Sequence, residues 1–261
     1  MLDLLFICLA ALAAGVMDAI IGGGGLLLLP ALLDVLPQHA LADVLALNKA
    51  ALLSGTVLAA WRYTHHTRRR AWQGGALPRG LPLAALLAMV ASWLGALAIS
   101  HLSLRETAAL RQALPFVLLA LPIYVFFHKD LGKLPAAHIA KNTPHSAIKF
   151  VLIGLVMGFY DGFFGPGTGS LLMVAVVRLM GYDFLHASAA ARLLCVATGL
   201  AALLYFGWQG HILWAWVLPL ALANMAGGWL GTHLALRHGS GFVRWFFIVG
   251  VSVLVGKMLL S

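Results

Sequence analysis

The chain has 261 residues, of which 62% are hydrophobic and 10% are charged, and its mean hydropathy is +0.96. A soluble globular protein carries about 25% charged residues, so these charges are too few to cover a surface in water. Residues 80–100 and 212–236 contain no Asp, Glu, Lys or Arg at all, and apolar stretches of about 18 residues or more indicate membrane spans. The composition excludes a soluble enzyme, a nucleic-acid-binding domain and a secreted disulfide scaffold. It indicates a polytopic helical protein whose surroundings are the lipid bilayer.

The formal net charge of +9 marks membrane topology rather than nucleic-acid binding. The basic residues lie mostly in short loops between apolar segments, where the positive-inside rule assigns them to the cytoplasmic face. Cys8 and Cys195 both lie inside apolar runs, so we expect buried free thiols and no disulfide. The eleven histidines form no HExxH or CxxC arrangement, so the sequence indicates neither a metal site nor a cofactor.

The two halves of the chain repeat one pattern at an offset of 143 residues. The matched positions are Gly15 with Gly158, Asp18 with Asp161, Gly22 with Gly165, Gly24 with Gly167, and Lys49 with Arg192. Matched glycines mean little in a chain with 28 of them, but a matched aspartate and a matched cation indicate an internal repeat. We predict one integral membrane domain with an N-terminal transmembrane repeat (1–130), a polar inter-repeat loop (131–146) and a C-terminal transmembrane repeat (147–261).

Each half is predicted to hold five apolar segments. They are 4–21, 25–36, 40–61, 80–100 and 108–127 in the first half, and 148–164, 169–180, 186–206, 212–236 and 243–260 in the second. A glycine-rich break separates the first two of each half. The 14 residues from Leu4 to Met17 and the 12 from Leu26 to Pro37 make helices of about 21 Å and about 18 Å, shorter than the hydrocarbon core of about 30 Å. They predict a hairpin that enters the membrane and returns to the same face.

The distribution of basic residues favours this topology. With two re-entrant hairpins and three transmembrane helices per half, 12 basic residues lie on one side and 3 on the other. If each hairpin instead completes a full pass, the split is 10 against 5, which is a weaker inside bias. The predicted fold is therefore an all-α membrane protein built from two inverted repeats, with both termini outside and the basic loops cytoplasmic.

Four charges lie deep in apolar segments: Asp18, Lys49, Asp161 and Arg192. A charge at the bilayer centre costs about 2.5–3.5 kcal/mol on insertion scales, so such residues pair with one another or line a polar cavity. One interpretation is two ion pairs that only hold helices together. The other is a polar site shared by the two halves, in which the aspartates carry protons or neutralise the cations.

The glycine-rich stretches 22–25 and 165–169 are predicted to be unwound. Glycine costs a helix about 1 kcal/mol relative to alanine, and Pro166 removes a backbone donor. Unwound backbone within a membrane must face protein or a water-filled cavity, and matching broken helices are typical of a transporter's substrate site. The helices that follow would present free amides and positive dipole ends, which suit an anion. The alternative role of the glycines is close helix packing.

The predicted function is a secondary transporter for a small anion that works by alternating access. Because no GxxxxGK[ST] motif for ATP is present, the energy for transport must come from a gradient or from a separate partner. One alternative is an anion channel of the same architecture. Another is an intramembrane aspartyl protease, whose two carboxyl groups would have to share a proton. We expect no nucleic acid partner, and the sequence does not decide whether the chain forms a homo-oligomer. The candidate substrate-binding residues are Asp18, Gly22, Gly23, Gly24, Gly25, Asn48, Lys49, Tyr160, Asp161, Gly165, Gly167, Thr168, Gly169, Ser170 and Arg192.

Three sequence features resemble the TauE/SafE family of bacterial inner-membrane permeases over essentially the whole chain. They are residues 15–26 (GVMDAIIGGGGL), the pair Asn48-Lys49, and residues 158–170 (GFYDGFFGPGTGS). The resemblance implies a multi-pass protein of the inner membrane and a small sulfur-containing anion as cargo, as in the export of sulfite, or the movement of sulfoacetate or thiosulfate. It also implies that the glycine motifs and Asn48-Lys49 line the substrate path. In the second half this chain departs from the family, because Ala191-Arg192 stands where members often carry Thr-Lys.

Overall fold

The computed structural model describes residues 2–70, 80–102, 144–182 and 184–260. In these ranges the chain forms eight α-helices and no strand, which confirms the all-α class. The helices are α1 (Leu2–Ile21), α2 (Gly24–Val35), α3 (Leu41–Arg70), α4 (Leu81–Ser100), α5 (Pro144–Phe163), α6 (Thr168–Met180), α7 (Phe184–Trp208) and α8 (Trp214–Leu260). The predicted apolar segment 108–127 lies outside the described residues. So does the predicted loop 131–146, except for its last three residues, which begin α5.

Five of these helices are long and apolar enough to cross a membrane. They are Leu2–Ile21, Leu41–His66, Leu81–Ser100, Ser146–Phe163 and Leu185–Trp208. Large apolar side chains on α4 and α5, such as Leu86, Val90, Leu152 and Val156, are more than half exposed, as expected for side chains that contact lipid rather than water. The chain is a membrane protein with several candidate spans.

The lengths of the helices that precede the breaks correct one prediction. α1 and α5 each have 20 residues, which is about 30 Å of helix and matches the hydrocarbon thickness. The prediction that the first arm of each hairpin is too short to cross was therefore wrong, because α1 continues through Asp18 to Ile21. Only α2 and α6, with 12 and 13 residues, are shorter than a span. The re-entrant path and the inverted orientation of the halves stay predictions.

The long run α8 contains a break. Gly239 has φ 77° and ψ −170°, values that no α-helix contains and that glycine adopts without strain because it has no Cβ. The break falls between the apolar segments 212–236 and 243–260 that the sequence predicts. The run therefore consists of two helical segments joined at Gly239.

Each half places its first helix against the fourth helix of the other half. α1 packs along α8, and α5 packs along α4. The contacts are made through glycines: Gly15 lies against the backbone of Asn224, and its counterpart Gly158 lies against the backbone of Ala88. Small residues allow membrane helices to approach this closely. The two halves are thus interlocked rather than side by side, and the site between them depends on this packing.

We predict that Gly162→Ala destabilises the protein. A Cβ at Gly162 would overlap the backbone of Ser92, so α4 and α5 would have to separate, at a cost of about 1–3 kcal/mol. The melting temperature of the full chain purified in detergent should fall. The matched control is Gly207→Ala, whose Cβ meets only the end of the Ile212 side chain. This variant should melt at the same temperature as the wild type or slightly above it, because alanine favours a helix. Equal melting temperatures for the two variants would contradict the packing.

Candidate functional site

The two glycine-rich breaks are in contact with each other. The Ser170 amide donates to Gly22 O at 3.2 Å, and the Ser170 hydroxyl donates to Ile21 O at 2.8 Å. A Cβ on Gly22 would collide with the backbone of Gly169. The sequence therefore needs glycine on both sides of this contact, and the end of α1 is tied to the start of α6.

The unwound stretches are shorter than predicted. Gly22 (φ 85°), Gly165 (φ 91°) and Gly167 (φ 81°) adopt left-handed conformations, which only glycine reaches readily. Gly24 and Gly25, by contrast, already belong to α2. The helix starts this early because the Gly24 amide, which has no partner within its helix, lies 3.4 Å from the Asp18 carboxylate and is satisfied by it.

Two buried ion pairs connect the halves of the chain. Lys49 Nζ lies 2.9 Å from Asp161 Oδ1, and a terminal nitrogen of Arg192 lies 2.9 Å from Asp18 Oδ2. No more than 9% of the surface of any of the four residues is exposed. Each aspartate is bound by the cation of the other half, so the four charges neutralise one another across the interface. The two carboxyl groups bind cations and do not form the hydrogen-bonded dyad of an aspartyl protease.

Asp18 is held by several groups besides the Arg192 ion pair. The second terminal nitrogen of Arg192 donates to the main-chain oxygen of Asp18, and Thr56 Oγ1 lies 3.0 Å from Asp18 Oδ2. The Gly24 amide approaches the other carboxylate oxygen. Both oxygens of this carboxylate therefore have partners, which fixes its orientation.

Asp161 has fewer partners, although it occupies the equivalent position of the repeat. Among the described residues, Lys49 is the one group that binds the Asp161 carboxylate. The counterpart of Thr56 is Gly199, which has no hydroxyl. The counterpart of Gly24 is Gly167, whose amide does not reach Asp161. The sequence repeat is therefore accompanied by an asymmetric site.

A cavity of about 60 Å³ lies between the breaks and the helices α3 and α7. Such a volume holds a few water molecules or a small polyatomic ion. The predicted site residues that line it are Asp18, Gly22, Gly25, Asn48, Lys49, Asp161, Gly165, Gly167, Thr168 and Gly169.

The remaining predicted site residues support the cavity without lining it; they are Gly23, Gly24, Tyr160, Ser170 and Arg192. Arg192 is 2% exposed and binds Asp18. The Tyr160 hydroxyl donates to Pro166 O at 2.9 Å, within the second break.

The cavity is also lined by residues that were not predicted from the sequence, namely Leu52, Leu53, Thr56, Cys195 and Gly199. A signal for them exists, because residues three, four and seven positions along a helix share one face. Leu52, Leu53 and Thr56 have that spacing from Lys49, and Cys195 and Gly199 have it from Arg192. Cys195 is a free thiol, as predicted, but it is half-buried rather than buried.

Several hydrogen-bonding groups around the cavity have no protein partner. Asn48 is 2% exposed, and its Oδ1 accepts no hydrogen bond within the described residues. The amides of Gly167 and Gly169, at the start of α6, donate to no group in that part of the chain. Unpaired amides at a helix N-terminus form a site for negative charge. Lys49 and two residues with unpaired amides therefore lie at the same cavity.

Broken helices that meet at a cavity lined by charged side chains are typical of membrane transporters, and comparison with known proteins agrees. The chain belongs to the sulfite exporter TauE/SafE family, whose model matches residues 7–258. It is 30% identical over 250 residues to a probable membrane transporter protein of Haemophilus influenzae, covering 94% of this chain and 90% of that protein.

Two further relatives carry the same description. The probable membrane transporter protein YfcA of Escherichia coli K12 is 30% identical over 249 residues, covering 95% of this chain and 87% of YfcA. The probable membrane transporter protein ORF9 of a Sinorhizobium species is 31% identical over 259 residues, covering 99% of this chain and 92% of ORF9. No solved structure matches the chain.

We predict that Asp18→Asn destabilises the protein more than Asp161→Asn does. Loss of the Asp18 charge leaves Arg192 buried and uncompensated, and breaking a buried pair in this way costs about 3–5 kcal/mol. Lys49 lines the cavity, where water can solvate it after its partner is neutralised. Melting temperatures in detergent measure the difference, with Asp34→Asn, an exposed position, as the control. Equal losses at Asp18 and Asp161 would contradict the asymmetry.

Proposed function

We propose that the protein is a secondary transporter for a small anion, a sulfur-containing oxyanion or organosulfonate, that works by alternating access between two inverted halves. The observation that carries the proposal is the cavity at the meeting point of two broken helices. It is lined by Lys49 and by Gly167 and Gly169, whose amides have no partner among the described residues. The family description, sulfite exporter, supports the class of cargo. The inner membrane as location and cytoplasmic basic loops belong to the same proposal.

The ion pairs and hydrogen bonds of the groups at the cavity favour an anion over a cation as cargo. A cation in the cavity would have to bind Asp18 or Asp161, and both carboxylates already bind a cationic side chain. An anion, in contrast, finds amides that have no acceptor among the described residues, next to a Lys49 ammonium that is shared with Asp161. Hydrogen bonds from charged donors are also the stronger ones in a buried site.

The contacts between the two halves at the cavity favour a transporter over a channel. Lys49 and Asp161 form an ion pair at the cavity, and the backbones of Gly22 and Gly169 are in direct contact beside it. A conducting pore needs a continuous polar path, whereas a carrier needs a site whose contacts break on one side at a time. Since each contact joins one half of the chain to the other, movement of the halves would open the site.

A panel of anions tests the proposal directly. The purified full chain is melted in sulfite, sulfate, thiosulfate, sulfoacetate and methanesulfonate, with chloride at the same ionic strength as the control. An anion that binds the folded protein at 100 times its dissociation constant adds about 2.7 kcal/mol to the free energy of unfolding, so we expect at least one of the sulfur anions to raise the melting temperature. No shift with any of the five would contradict the proposed function.

We predict that Lys49→Met loses this effect and also loses uptake of the same anion into proteoliposomes. Loss of one charged hydrogen bond to an anion is expected to cost about 1.5–3 kcal/mol, or at least about tenfold in affinity. The control is Lys149→Met, because Lys149 is an exposed lysine that binds Leu179 O at 3.2 Å and does not line the cavity. Unchanged binding and uptake in Lys49→Met would remove the cavity as the substrate site.

A further inference from the structure

We propose that Asp161 binds the proton that is transported together with the anion, while Asp18 stays ionised and serves as a fixed structural partner of Arg192. The proposal rests on the proposed function, because coupling requires that the anion binds in this cavity. It also assigns the cargo a charge: one proton accompanies one singly charged sulfur oxyanion or sulfonate.

The two aspartates differ in their partners, although they are equivalent in the repeat. Protonation of Asp18 would weaken the ion pair with Arg192 and leave that buried guanidinium, which never gives up its proton in proteins, without a counter-charge. Thr56 and the Gly24 amide also hold its carboxylate oxygens. Asp18 therefore has no route to a neutral state that keeps the site satisfied.

Asp161 meets a different set of groups. The charged and titratable side chains around the cavity are Asp18 on α1, Lys49 on α3, and Cys195 on α7, with Arg192 bound to Asp18. Tyr160, on the same helix as Asp161, directs its hydroxyl to Pro166 O. Lys49 is thus the counter-charge of Asp161, and a proton on Asp161 would free the Lys49 ammonium for a ligand.

Charge balance explains why the proton and the anion must bind together. In the empty site the two negative and two positive side chains sum to zero. A singly charged anion alone would leave one uncompensated negative charge among buried groups, which is unfavourable within a membrane. A proton on Asp161 restores the sum to zero and removes the carboxylate that competes with the anion for Lys49. The proton leaves again when the anion leaves.

The first test measures binding of methanesulfonate, which is singly charged and does not itself titrate, from about pH 5.5 to about pH 8. If one proton binds with each anion, the affinity of the wild type falls by up to about tenfold per pH unit over the range in which the carboxyl is ionised. Lys49→Arg separates the two residues that could carry the proton, because arginine stays charged and is the residue found at the equivalent position of the second half.

Lys49→Arg should retain the pH dependence, and Lys49→Arg combined with Asp161→Asn should bind methanesulfonate independently of pH. Loss of the pH dependence in Lys49→Arg alone would place the proton on Lys49 and overturn the proposal. Asp34→Asn, at an exposed position, is the control and should behave as the wild type.

The second test uses full-chain proteoliposomes with labelled methanesulfonate and a pH-sensitive dye inside. In the wild type, an acidic exterior should drive anion accumulation together with acidification of the interior. In the double variant, exchange of labelled for unlabelled anion should continue, because the occupied site is neutral. Net uptake and proton movement should stop. Without an anion the binding site of the double variant carries one net positive charge, which opposes its return across the membrane.

The outcomes separate this proposal from the proposed function. If the wild type binds and transports methanesulfonate, or another anion of the panel, without any response to the pH gradient, proton coupling fails while the transporter stands. If the double variant still responds to the gradient, Asp161 is not the proton site. If no anion of the panel binds, both proposals fall.

Discussion

Charge neutrality within an apolar chain is the constraint on which this structure depends. Four ionisable side chains lie where water has little access, and each is compensated by a residue from the opposite half of the chain. A half that folded alone would bury one aspartate and one cation without these partners. The ion pairs therefore make the assembly of the two halves a condition for burying any of the charges, and they place all four charges around one point.

The glycine-rich breaks also help to form the site, through backbone contacts rather than through charge. Because Gly22 and Gly169 lack side chains, the two breaks come into direct backbone contact, and Gly167 and Gly169 at the start of α6 line the cavity. The left-handed conformations of Gly22, Gly165 and Gly167 let the chain turn there without strain. Close helix packing by glycine, at Gly15 and Gly158, is also present, but in other positions. Gly22 therefore has both predicted roles, because it turns the chain and also lies against the backbone of Gly169.

Much of this arrangement could be predicted from the sequence, and the failures have physical causes. Hydropathy and the internal repeat predicted the helices and the residues that meet at the cavity, because charges and glycines are conspicuous in an apolar chain. The pairing of Asp18 with Arg192 could not be predicted. The repeat offset shows which residues are equivalent, but it does not show whether each aspartate pairs within its own half or with the other half. Thr56 was missed because a hydroxyl in a membrane helix usually satisfies itself on its own backbone, and here it also reaches the Asp18 carboxylate. The lengths of α1 and α5 were underestimated because the helices run through the charged residue rather than ending before it.

The proposed function requires an anion in the cavity beside Lys49, Gly167 and Gly169. Its most direct test is an experimental structure of the full chain with bromomethanesulfonate, in which the anomalous signal of bromine locates the ligand. We expect a single strong peak inside the cavity, with the sulfonate within hydrogen-bonding distance of Lys49 Nζ. An empty cavity with bromine peaks only beside the basic loops would contradict it.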